Sequence, residues 1–172
     1  MAEAFTTEAE KIIGKIQHLL AGVDVLDIGC GSKKIVPWAV SVDAVDHRAD
    51  HKVNVEASSG ELKTLLGDRL FQVVFSSHCL EHMRSPIRET IRHWLSFVKV
   101  GGLLILYLPD ESAYQYDPAV PSLRNPEHHH LLTMQTFSWH AAQVRDVEVS
   151  IEADIDQKND RYSFLCVMKK LR

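Results

Sequence analysis

The sequence predicts an α/β domain, a doubly wound, mainly parallel seven-stranded sheet with helices on both faces. Three observations carry that expectation. Apolar runs of strand length alternate with stretches of helical period along the chain. The stretch Val25-Leu26-Asp27-Ile28-Gly29-Cys30-Gly31-Ser32 breaks an apolar run on an acid and then on two glycines one residue apart. Gly29, Asp43, Asn54, His78 and Asp110 each follow a separate predicted strand, so the sheet gathers polar groups distant in sequence onto one rim.

The elements follow in order. Phe5, Ala9, Ile12, Ile13, Ile16, Leu19 and Leu20 recur at helical spacing behind a Thr7/Glu10 capping-box pattern, and Gly22 stops this first helix. Val23 to Ile28 is a buried strand running into the glycines, and Ala39 to Asp43 is a second one ending on an acid. The segment between them is short and holds Pro37, so the helix expected after a glycine turn is shortened or missing. Val53 to Val55 forms a weak third strand, and Ser58-Ser59-Gly60 leads into a short helix bearing Leu62, Leu65 and Leu66 and closed by Gly67. Leu70 to Phe75 is the fourth strand. Ser85 and Pro86 give the cap and first turn of a helix whose apolar face is Ile87, Ile91, Trp94, Leu95 and Val98, with Gly101-Gly102 as its end. Leu103 to Leu108 is the most apolar strand. A loop rich in proline and polar residues then runs from Asp110 to Leu132, before a helix after Thr133 and two late strands near Val144 to Ile151 and Tyr162 to Met168.

The 172 residues, 24% charged and 45% hydrophobic, are ordinary for one soluble globular domain spanning 1–172. A net charge of -4 argues against a nucleic-acid or anionic-membrane partner. Cys30, Cys79 and Cys166 are odd in number and widely spaced, which points to reduced thiols and a cytoplasmic protein rather than a disulfide framework. The first residues lack a basic, apolar leader pattern, and no apolar run reaches membrane-span length.

Glycines at 29 and 31 let the turn adopt conformations barred to residues with a Cβ and let a nucleotide-like ligand approach the main chain. A tight strand-to-helix turn with no ligand is the competing reading. A dinucleotide fingerprint would place glycine at position 34, where Lys34 stands, and a phosphate-binding loop would end in Gly-Lys-Ser/Thr. NAD and ATP are therefore disfavoured. Asp43 suits a ribose diol, since a carboxylate accepts two hydrogen bonds, with Asp46 as its rival.

The strings VLDIGCGS, SVDAVD, FQVVFSSHCLEHM and VKVGGLLILYLPD, in this order, resemble the class I S-adenosylmethionine-dependent methyltransferases. The resemblance is nearest to small single-domain members associated with sugar, polysaccharide or natural-product modification, in which a stretch like Asn125 to Thr133 also follows the fifth strand. It implies a Rossmann-like methyltransferase fold whose last strand is antiparallel. It further implies that Asp27, Gly29, Cys30 and Gly31 line the methionine part of S-adenosylmethionine, that Asp43 holds the ribose, and that Asn54 and Val55 border the adenine. Ser77 and His78 would close the pocket beside the sulfonium. Gln72 in place of a common Asp, and Lys33 in place of a third glycine, depart from the pattern.

Ten histidines leave the acceptor side open. His78 and His82 stand four apart, but neither an HExxH pattern nor a cysteine partner accompanies them, so no metal is expected and His82 reads as a packing residue. His78, His128 and His130 are the candidates to orient an acceptor or take its proton, His129 completing the triplet. Tyr114 and Tyr116 are candidate walls of the substrate site. The function expected is transfer of a methyl group to a small-molecule or sugar-type acceptor, most simply at oxygen. The alternative is a cofactor-binding module that regulates or assists another protein without chemistry of its own.

Overall fold

The computed structural model describes residues 7–44, 49–52, 59–114, 127–159 and 161–172. Helix α1 (Glu8–Leu20) opens it, the Glu10 carboxylate accepting the Thr7 N–H at 2.8 Å as the expected capping box requires. Strands β1 (Val25–Ile28), β2 (Val40–Asp43), β3 (His51–Lys52), β4 (Phe71–Ser77), β5 (Val98–Pro109), β6 (Val147–Asp156) and β7 (Arg161–Lys170) form one seven-stranded sheet in the order β3-β2-β1-β4-β5-β7-β6. The pairs among β1 to β5 are parallel, and β7 runs antiparallel to both β5 and β6. Stepping from β1 outwards to β2 on one side and β4 on the other reverses the winding, which opens a crevice at the carboxyl ends of these strands.

Side-chain alternation along the central strands builds two cores. Val73, Phe75, Ile105 and Tyr107 face Ile12, Ile16 and Leu20 of α1, while Val74, Leu104 and Leu106 face the side of α3 (Ile87–Leu95) and α5 (Met134–Ala141). On the α1 face, Ile35 and Val36 do the covering that a helix after the glycine turn would do, and residues 29–39 contain no helix. The shortening expected from Pro37 is therefore present. Helix α2 (Ser59–Leu66) ends at Gly67, whose φ of +58° permits the reversal. A four-residue α4 (Glu111–Tyr114) follows β5.

Several boundaries differ from the sequence reading. Gly101-Gly102 does not end a helix; α3 stops at Leu95 and the glycines lie inside β5. There, Phe71 pairs with Val98 but Val73 pairs with Leu103, so two steps on β4 oppose five on β5. Such a bulge needs Gly101 at φ +78°, and a Cβ on Gly102 would stand 2.6 Å from the Gln72 carbonyl oxygen. Strand β6 starts later than expected because Val144 packs as part of the core behind α5. The predicted third strand, Val53 to Val55, lies outside the described residues; His51–Lys52 is paired in parallel with Val42 and Asp43.

Candidate active site

The turn after β1 is built from two glycines with different reasons to be glycine. Gly29 has φ +73°, donates its N–H to the Val42 carbonyl at 2.9 Å, and would place a Cβ 2.6 Å from Cys79 Sγ. Gly31 has φ +57° and open space around the Cβ position, and its N–H donates to Asp43 Oδ2 at 2.7 Å. Glycine at 29 answers to the neighbouring chain segment; glycine at 31 leaves a cradle. Asp27, at the end of β1, accepts the Ile35 N–H at 2.7 Å and so pins the helix-free segment beneath the turn. Burial pushes its carboxyl up to about 7, against the pull of that N–H, and nearby Asp43 adds to the rise.

Over this turn lies a cavity of about 220 Å³, whose lining includes Asp27, Gly29, Cys30, Gly31, Ser77 and His78. Glu8 of α1 and Phe75 of β4 complete much of the wall. Six of the residues expected on sequence grounds thus meet in one place. Asp43 stands one hydrogen bond behind them, while Asn54 and Val55 lie outside the described residues. Lys33 also lines the cavity, with its ammonium paired to Glu10, and Lys34 is paired to Asp50 at 2.6 Å. The Ser77 hydroxyl is buried without a hydrogen-bond partner. Burial raises the Cys30 thiol to about 11, so it stays protonated and acts as a small apolar wall.

His78 leaves β4 in the left-handed region, φ 47°, held by its N–H on the Tyr107 carbonyl at 2.9 Å. That backbone carries the ring into the cavity wall, with Nε2 3.0 Å from Ser163 Oγ. Burial drives its pKa down to about 3, so the imidazole is neutral in ordinary buffers. A 3₁₀ turn, Leu80–His82, follows and places Glu81 in the interior, 0% exposed, with neither carboxylate oxygen hydrogen-bonded to another residue. Burial, then Glu111 and Glu8, push the Glu81 carboxyl up to about 8.

The histidine loop docks on this turn. The N–H groups of His129 and His130 both donate to the Glu81 carbonyl, at 2.8 and 3.0 Å. His128 Nδ1 donates to Glu111 Oε1 at 2.9 Å, and its ring meets His82 edge to face at 4.7 Å. His130 Nε2 donates to the Ser85 carbonyl at 3.0 Å, which makes this ring a fastener between the loop and the start of α3. Tyr116 and the Tyr114 side chain lie outside the described residues. Glu81, Glu111 and Ser163 were not among the sequence candidates. Only the acid between two histidines in HCLEHM hinted at the first of them.

A larger cavity, about 510 Å³, opens where β5 and β6 begin, lined by Arg92, Leu95, Arg145, Lys170 and Arg172 among others. It lies at the amino ends of the parallel strands, away from the glycine turn, and holds none of the candidate residues.

The sequence matches the family described as a methyltransferase domain over residues 4–144. The chain belongs to this family. It is a class I, S-adenosylmethionine-dependent methyltransferase. No curated protein matches the sequence. Among solved structures, the N-methyltransferase NodS from Bradyrhizobium japonicum superposes with TM-score 0.66 at 13% identity, over 94% of this chain and 96% of that one. The plantazolicin methyltransferase BpumL in complex with SAH gives 0.62 at 13%, over 95% and 82%. A complex between the Haloferax volcanii activator Trm112 and a methyltransferase gives 0.63 at 12%, over 95% and 94%. At these identities the likeness concerns the fold.

The cavity of this methyltransferase suits its cofactor on its own terms. Gly31 leaves the main chain open, the Ser77 hydroxyl awaits a partner, and carboxylates and carbonyls rather than free ammonium groups surround the place a sulfonium would take.

Proposed function

We propose that this chain works as a single catalytic domain that methylates a hydroxyl of a small or sugar-type acceptor. The observation that carries the reading is His78, a neutral imidazole in the wall of the cavity whose other neighbour is the turn that holds the histidine loop. S-adenosylmethionine supplies an electrophilic methyl group on a sulfonium. In the proposal Asp27, Gly29, Cys30, Gly31 and Ser77 hold its methionine part, Asp43 its ribose, and Asn54 and Val55 its adenine. His78 aligns the acceptor oxygen by hydrogen bonding, and His128 and His130 shape the loop from which the acceptor enters. Displacement at a methyl group gains most from a fixed approach in a dry cleft, which suits a neutral orienting imidazole better than a strong base.

The ligands of the structural relatives support the cofactor and leave the acceptor to experiment: BpumL is a plantazolicin methyltransferase crystallised with SAH, and NodS an N-methyltransferase. No disulfide joins Cys30, Cys79 and Cys166, in keeping with a reducing cytoplasm, and no helix among the described residues is long and apolar enough to cross a membrane. The test is calorimetric titration with S-adenosylmethionine, followed by transfer of labelled methyl to panels of sugars, phenols and amines. Labelled hydroxyl acceptors with a loss of about 10²-fold in turnover for His78→Ala support the reading. Transfer to amines alone overturns the oxygen assignment.

A further inference from the structure

Glu81 poses a problem that the methyl-transfer site does not solve. Its side chain is fully buried, and neither carboxylate oxygen has a hydrogen-bond partner in another residue, the only pull towards the charged form being its own main-chain N–H. A carboxylate taken from water without partners is among the costliest groups to bury, and a protonated one would still have an O–H to place. Two imidazoles stand close to it, alongside the more distant carboxyls of Glu111 and Glu8. His78 Nδ1 lies 3.7 Å from Glu81 Oε1, and His82 Nε2 lies 4.0 Å from the same oxygen. His128 closes the group: the ligating atoms of Glu81, His82 and His128 all stand within 4.8 Å of one another.

We propose that Glu81, His82 and His128 bind one divalent first-row transition cation beside the acceptor end of the cofactor cavity. Two imidazoles and one carboxylate form a donor set suited to zinc, manganese, iron or cobalt and poorly suited to calcium or magnesium. Three protein ligands leave a further coordination position open, the arrangement of sites that act on a bound oxygen rather than of closed structural sites. Around a tetrahedral ion with bonds of about 2.1 Å, donors stand roughly 3.4 Å apart, so the 4.0 Å between Glu81 and His82 needs a contraction of about 0.6 Å, and no pair in the group has to close by more than about 1.4 Å.

The supporting shell is already in place. Glu111 takes the Nδ1–H of His128 at 2.9 Å, which fixes the tautomer and leaves Nε2 as the nitrogen with a lone pair. The two N–H bonds from His129 and His130 to the Glu81 carbonyl lock the loop carrying His128 to the turn carrying the other two ligands. The ligands come from two loops after different strands, which is why no spacing motif announces them. His78 lies between this cluster and the cavity, so a cation here faces the acceptor side. The inference rests on the cluster and not on the choice of acceptor.

The test uses full-length protein stripped with a chelator and titrated with Co²⁺, whose visible absorption reports coordination, and by calorimetry with Zn²⁺, Mn²⁺ and Mg²⁺. One Co²⁺ per chain with the absorption of a nitrogen and oxygen site, Mg²⁺ binding far more weakly, is the expected result. Glu81→Gln keeps the shape of the side chain and should lower Co²⁺ affinity at least about 10²-fold, as should His82→Ala. Circular dichroism establishes that each variant is folded, and metal-free Glu81→Gln should melt no lower than metal-free wild type, since it replaces a buried carboxyl that has no partner in another residue with an amide of the same shape. Absence of a Co²⁺ site in wild type, or a site of unchanged affinity in both folded variants, overturns the proposal. S-adenosylmethionine affinity in the same variants separates the two readings: cofactor binding retained while Co²⁺ is lost places the fault in the metal cluster alone.

Discussion

The two sides of the cavity treat their polar groups in opposite ways. On the glycine-turn side each acid already has a backbone donor, Asp27 the Ile35 N–H and Asp43 the Gly31 N–H, both at 2.7 Å. On the histidine side the Glu81 carboxylate has no donor beyond its own main-chain N–H, and in the wall between the two sides the Ser77 hydroxyl has no partner. A side that satisfies itself holds its shape before the ligand arrives, so binding there costs little ordering. A side with buried, unanswered groups stores a cost that only a ligand or ion relieves. The first belongs to a scaffold that receives one cofactor, the second to a place where something more is expected.

The most demanding check of the self-satisfied side is Asp27. Its carboxyl is held near 7, above the ordinary 3.8, so between those values the folded protein keeps a proton that the unfolded chain gives up. Stability from this group is therefore present at low pH, falls as pH rises from about 4 to about 7, and is level above that. Asn at 27 retains an oxygen for the Ile35 N–H and cannot ionise. Urea denaturation of Asp27→Asn and wild type should show the variant gaining relative stability by at most about 1.4 kcal/mol per pH unit across that window. His78 runs the other way, its pKa lowered to about 3, but it is common to both proteins and cancels in the difference. A gap that stays constant with pH would show that Asp27 is ionised throughout.

Gly29→Ala comes next. Its Cβ would meet Cys79 Sγ at 2.6 Å and Cys79 Cβ at 2.8 Å, at a φ of +73°, so strain and overpacking add to about 3 kcal/mol of destabilisation. Adding Cys79→Ala removes the nearer contact and leaves the other, so a double-mutant cycle should recover part of the loss. Full additivity would place the cost in the backbone alone.

Such contacts mark the limit of what the sequence discloses. The glycine turn, its acid and the alternation of strands and helices are legible because each is a local demand: a left-handed turn wants glycine, and a strand between two layers wants an apolar run. Cys79 against Gly29 joins positions fifty residues apart, and nothing local announces it. Gly101-Gly102 follows an amphipathic helix, where a helix stop is the ordinary reading, yet the pair serves a bulge facing Gln72. Glu81 reads as an unremarkable acid in LEHM, since its isolation is created by the histidine loop folding over it. Asp43 reads in the sequence as a candidate for the ribose, whereas its bond to the Gly31 N–H, which holds the turn, had no local signal.

Asp43→Ala sharpens this double role. Removal takes the acceptor from the Gly31 N–H, a charge-assisted bond whose loss costs about 1.5–3 kcal/mol, and takes the proposed ribose contact with it. Calorimetry should show S-adenosylmethionine affinity falling by roughly one to two orders of magnitude. Asp43→Asn restores an acceptor to the N–H without the charge, and should recover part of that loss. Equal affinities for wild type and both variants would remove Asp43 from the cofactor site.

The smallest expected effect on the fold is at Gly31, and it separates the two glycines most cleanly. No atom lies within 4 Å of a Cβ built there, so Gly31→Ala creates no clash and costs only the left-handed backbone at φ +57°, about 1 kcal/mol. Gly31→Val carries bulk into the same open space and meets the proposed path of the cofactor's methionine part. The fold should therefore survive both changes, with a melting temperature a few degrees lower for alanine and lower again for valine, whose branched Cβ suits φ +57° worse, while cofactor affinity falls modestly for alanine and is abolished for valine. Gly29→Ala predicts the reverse order, a large loss of stability first. If valine at 31 binds S-adenosylmethionine as tightly as glycine does, the open space over Gly31 is not the cofactor's path, and the contrast between the two glycines reduces to packing against Cys79.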